Sequence, residues 1–136
     1  MDVAINYLSV LIAAAAIMGV GALWYGPAFG KQWMKLKGYT PESMKNMTMS
    51  ARKAMALAAL GALVTAFVLA LLIRLLNPIG FAGGFMLALL VWTGFVVPLK
   101  ANEVLFEAGD WKLFLFHIAQ SFVALLLASV ILTLWP

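Results

Sequence analysis

The chain has 136 residues, of which 65% are hydrophobic and 10% charged, with a mean hydropathy of +1.05. A soluble domain of this length has no use for so much apolar surface, so the composition points to one integral membrane domain. The absence of cysteine excludes disulfides, thiol catalysis, iron–sulfur clusters and zinc–thiolate sites; the net charge of +4 sits at the ends of apolar runs, a pattern of membrane orientation rather than of nucleic-acid binding.

The first apolar run, residues 3–24, is near the roughly 20 residues that cross a hydrocarbon core. Met1 and Asp2 supply no basic region ahead of it, so it reads as a retained helix rather than a secretory signal. Asn6, Tyr7 and Ser9 fall in its first turns, while Ala15, Gly19 and Ala22 make a small-residue face suited to close helix packing.

Residues 25–50 form the one long polar loop. Trp24 and Tyr25 carry apolar rings with polar tips, which suits a membrane boundary, and Gly26-Pro27 breaks the helix there. Phe29, Trp33 and Leu36 then recur at spacings of four and three, with Lys31 and Lys35 on another flank. That is a short amphipathic helix lying along the interface, where its lysines meet anionic lipid headgroups. The same stretch has a second reading, a ligand site lined by Trp24, Tyr25, Phe29, Lys31 and Trp33, with Trp92 as a further aromatic candidate. Gly38 stops the helix, and Thr40 can cap another that Pro41 starts.

The second span, residues 54–73, places Ala54, Ala58, Ala62, Ala66 and Ala70 at four-residue spacing, a helix–helix seam ended by Arg74. Asn77-Pro78 is a tight turn into the third span, residues 79–99, with Gly80, Gly84 and Ala88 on one face. Pro98 removes the usual donor to the Gly94 carbonyl, so a kink is expected there, and Gly94 and Pro98 are candidate hinge residues. Past Lys100 the helix can continue through Glu103 and Glu107 to Gly109; Asp110 then caps the last span, residues 113–135. His117, Gln120, Ser121, Ala124 and Ala128 share one face of that span.

The expected fold is therefore all-α, four transmembrane helices in an antiparallel bundle with a short interfacial helix after the first. The first loop carries Lys31, Lys35, Lys37, Lys45, Arg52 and Lys53 and the third carries Lys100 and Lys112, against Arg74 alone on the other side. These two loops are accordingly expected in the cytoplasm and both termini outside.

Glu103, Glu107, Asp110, His117 and Gln120 cluster near one boundary and form a candidate proton or cation relay, with interfacial pairing of Glu103 and Glu107 to Lys100 and Lys112 as the plainer alternative. One histidine and flexible acids fall short of metal-ligand spacing, and no motif supports haem or pigment ligation. There is no Gly-x-Ser-x-Gly, Walker loop or His-Glu-x-x-His, so neither an enzyme nor a cofactor is expected.

Two stretches, Gly21-Ala-Leu-Trp24-Tyr25-Gly-Pro27 followed by Phe29-Gly-Lys-Gln-Trp33-Met34, and Trp92-Thr-Gly94-Phe95, resemble the family called domain of unknown function 1761. The resemblance implies a small four-helix membrane protein of the prokaryotic inner membrane and carries over no catalytic residue. The leading functional expectation is a non-enzymatic homo-oligomer, most simply a dimer, binding lipid or a small amphipathic molecule between helices. The alternatives are a small proton- or cation-coupled transporter and an accessory subunit of a larger membrane complex.

Overall fold

In the computed structural model, which describes residues 4–38, 51–106 and 109–136, every regular element is helical. Helix α1 runs Tyr7–Leu23, a π-helical turn follows over Trp24–Ala28, and α2 spans Gly30–Lys37. Helix α3 covers Ala51–Leu76. Helix α4, Gly80–Val91, passes through a second π-helical turn, Trp92–Val96, into α5, Val97–Phe106, and α6 spans Trp111–Leu134. Four helical segments, Tyr7–Ala28, Arg52–Leu76, Gly80–Phe106 and Trp111–Leu134, are long and apolar enough to cross a membrane. Glu107 and the Thr40-Pro41 helix start lie outside the described residues.

The ends are set by local chemistry. Asn6 caps α1, its side chain accepting from the Ser9 amide at 3.3 Å while the Ser9 hydroxyl donates back to the Asn6 carbonyl at 2.8 Å. That cap starts the helix at Tyr7, later than residue 3, where hydropathy alone begins the span. Asp110 caps α6 by accepting from the Lys112 amide at 2.9 Å. Gly38 ends α2 at φ +72°, and Asn77, at φ +52°, turns the chain between α3 and α4 in a conformation that asparagine tolerates.

Helix α6 is the hub, packing on α1, α3 and α4, while α1 also packs on α3. Small residues make this possible. Gly84 of α4 sits against the α6 backbone, where an added Cβ would lie 3.1 Å from Val130 Cα, and the Ser129 hydroxyl donates to the Gly84 carbonyl at 2.7 Å. Ala13, Ala66, Ala88 and Ala128 are fully buried in the same layer, with Leu69 and Leu132 closing it. On α1 the buried face is Ser9, Val10, Ala13 and Ala14, not the expected Ala15–Gly19–Ala22 face, on which Ala15 and Ala22 are exposed. Only the later part of the α3 stripe, Ala62, Ala66 and Ala70, is buried; Ala54 and Ala58 are exposed.

The close-packed core thus occupies one half of the molecule. Asn6 Nδ2 donates to the Pro136 carbonyl at 3.4 Å at that end, where Arg74 also lies beside Asn6 and Pro136. The other half holds the end of α1, the start of α3, the start of α6 and helix α2, and there the packing opens.

Candidate functional site

Pro27 organises the open half. It has no N–H to continue the α1 ladder and disfavours helical geometry in the residue before it, and Gly26 departs to φ −115°, ψ −113°. The chain takes a wide turn in place of the simple break expected there, with the Phe29 amide donating to the Trp24 carbonyl at 3.1 Å. Gly30 then passes so close to the preceding turn that a Cβ on it would sit 2.8 Å from the Tyr25 carbonyl oxygen. Glycine at this position lets α2 fold back against α6.

The turn points aromatic rings at the start of α6. Phe116 meets Trp24, Tyr25 and Phe29 at centroid distances of 5.7, 5.6 and 6.1 Å, and Tyr25 meets the edge of Trp33 at 5.2 Å. Each such contact adds about 0.5–1.5 kcal/mol to simple burial. At the edge of this cluster the Tyr25 hydroxyl and His117 Nδ1 are hydrogen-bonded at 2.5 Å. Trp24 Nε1 is buried there and has no hydrogen-bond partner among the described residues.

Beside the pair lies a cavity of about 680 Å³. Ile17, Met18, Gly21 and Ala22 of α1, Met55 and Ala58 of α3 and Trp33 of α2 give it a largely apolar wall, and Tyr25, Lys37, His117 and Gln120 supply its polar groups. The Gln120 amide nitrogen points across towards Gly21, 3.8 Å from where a Cβ would stand, and makes no hydrogen bond among the described residues. Both its size and its pattern, an apolar pocket with a few converging polar groups, match small-molecule sites of about 300–1,000 Å³.

Two smaller spaces adjoin it. A charged cleft of about 50 Å³ between Lys37, Lys100, Glu103 and Asp110 shares Lys37 and His117 with the cavity. A deeper pocket of about 230 Å³, holding Thr65 and Ser121, shares Ile17 and Gln120 with it. Of the relay candidates, Glu103 therefore lies across His117 from the cavity, exposed and 3.8 Å from Lys100, and Gln120 lies inside it. Among the described residues no group of three or more His, Asp or Glu could hold a metal ion.

The ligand candidates divide. Tyr25 and Trp33 line the cavity, whereas Trp24 and Phe29 back them in the aromatic cluster. Lys31 is exposed on α2, away from the lining. Trp92 stands apart in the α4–α6 contact, its indole N–H donating to the Ile118 carbonyl at 2.8 Å and its ring 5.0 Å from Phe122. Gly94 and Pro98 flank the end of the second π-helical turn, where the Val97 amide donates to the Trp92 carbonyl. Met18, Lys37, Met55 and Phe116 were absent from the sequence-based site. The available signal was Phe116 beside the lone histidine, and an alanine stripe running on to Ala58 with nothing bulky opposite.

Among the described residues the chain is helical, with four helices long and apolar enough to cross a membrane and a cavity in its open half. The family described as "Protein of unknown function (DUF1761)" matches residues 8–133, and the chain belongs to it. No curated relative and no solved structure matches the chain.

Proposed function

We propose that this is a multi-pass, non-enzymatic protein of the prokaryotic inner membrane that binds a small amphipathic molecule in the 680 Å³ cavity. The carrying observation is the cavity itself, apolar along α1 and α3 and polar at Tyr25, Lys37, His117 and Gln120. Antiparallel packing of the spans is supported by ties at both ends of α1 and α6, Asn6 to Pro136 and Tyr25 to His117. Lys35 and Lys112 share one cleft and Lys37 and Lys100 another, so the basic loops gather at one end, while Arg74 is beside the termini. That asymmetry favours a cytoplasmic basic end and external termini. Homo-oligomer formation fits the small residues left exposed on α3, Ala54 and Gly61.

Native mass spectrometry of the protein extracted with its own lipids tests the reading. A dimer retaining one defined amphiphile per chain is expected, and Ala58→Trp, which fills the cavity from an exposed position, should remove the amphiphile. A bare chain, or one held only by unrelated subunits, would contradict it.

A second reading, proton- or cation-coupled transport, is favoured by the row His117, Gln120 and Ser121, which links the charged cleft to the deeper pocket. It requires that replacing His117 and Gln120 together abolish a measurable flux in liposomes; unchanged flux of every ion and solute tested would exclude it.

A further inference from the structure

Polar groups on the cavity wall are biased towards donation. Among the described lining residues there is no carboxylate; the formal charge is that of Lys37. When the Tyr25 hydroxyl donates to His117 Nδ1, the neutral ring carries its proton on Nε2 and that nitrogen is a donor as well. Gln120 has an amide with no hydrogen-bond partner among the described residues, facing the same space. A ligand oxygen would give this half-buried amide a partner on a largely apolar wall. The described acids Glu103 and Asp110 line the adjoining cleft, which Lys37 and His117 also border, and Glu103 is 3.8 Å from Lys100. The apolar wall, by contrast, opens sideways: Ala22, Met55 and Ala58 are all exposed, so a chain lying between α1 and α3 reaches the surrounding hydrocarbon without crossing polar groups.

We propose that the cavity takes a single amphiphile with an anionic headgroup, a carboxylate or a phosphate, whose oxygens are held by Lys37, His117 and Gln120 and whose chain lies between α1 and α3. The proposal rests on the cavity-binding reading above and adds the charge of the headgroup and the direction of the chain. Charge-assisted hydrogen bonds are the stronger kind, so headgroup charge should dominate selectivity.

Because Trp33 lines the cavity, brominated chains bound there quench its fluorescence. The full chain in detergent is titrated with three probes of one chain length: 9,10-dibromostearate, the matching dibromo-lysophosphatidate and the uncharged dibromostearyl alcohol. Trp33→Phe supplies the background from the other tryptophans. We expect saturable quenching, with at least one anion binding about tenfold or more tightly than the alcohol; the tighter anion identifies the headgroup. Lys37 is exposed on α2. Lys37→Gln should erase the preference, Lys37→Arg should keep it, and Gln120→Leu should weaken the anions more than the alcohol. Equal binding of all three probes, or a preference that survives Lys37→Gln, overturns the anionic assignment while leaving the cavity as an amphiphile site. Absence of saturable quenching by any probe overturns both.

Discussion

At the residue scale the open half depends on a few contacts that reach far along the chain. Tyr25 and His117 are each conspicuous in the sequence, one in an aromatic boundary motif and the other as the single histidine. Their pairing joins positions 92 apart and could not be read from periodicity, which reports only neighbours within one element. A double-mutant cycle of Tyr25→Phe and His117→Phe, followed by unfolding in detergent, should give a coupling of about 1 kcal/mol. Additive single effects would mean that the hydrogen bond contributes nothing. Gly30→Ala is expected to cost about 1–3 kcal/mol, because its Cβ meets a backbone oxygen that cannot rotate away. Gly19→Ala, with nothing within 4 Å, serves as the control and should be neutral or stabilising. The Lys100–Glu103 pair is exposed, so Glu103→Gln should shift stability by less than about 1 kcal/mol.

At the element scale, both stretches that carry the family resemblance coincide with π-helical turns, Trp24–Ala28 and Trp92–Val96. The prolines signalled that the α ladder fails near these points. The form of the failure, a widened turn still hydrogen-bonded along the backbone, depends on what the aromatic side chains then pack against, and that information lies in α6. Trp92 illustrates the point: it was grouped with the boundary aromatics by residue type, yet its N–H satisfies the Ile118 carbonyl within the helix contact. Trp92→Phe should therefore lower stability by about 1 kcal/mol and leave amphiphile binding unchanged. Gly84→Val should be far more damaging, since the α6 backbone leaves no room for a side chain. Thermal unfolding of the two variants side by side checks the ranking.

At the scale of the whole molecule, hydropathy made the four long helices legible, because a run of about 20 apolar residues is a property of each segment alone. Helix α6 as the hub was not legible, since all four segments offer small residues and only their mutual fit selects the centre. The alanine stripe of α3 shows why the cavity was hidden as well. Ala62, Ala66 and Ala70 are buried and make a seam, whereas Ala58, identical in type and spacing, lines the cavity together with Ala22. Small residues thus close one half of the molecule and leave room in the other.

The most direct test of that room as a binding site places a benzophenone amino acid at Met55, on the cavity wall, and in a second variant at Leu90, exposed on α4 away from it. After irradiation in native membranes, intact-protein mass spectrometry reads what each position has captured. The Met55 variant should carry one defined amphiphile and the Leu90 variant the mixture of bulk lipids. The same lipid mixture at both positions would show that the cavity is merely lipid-facing surface.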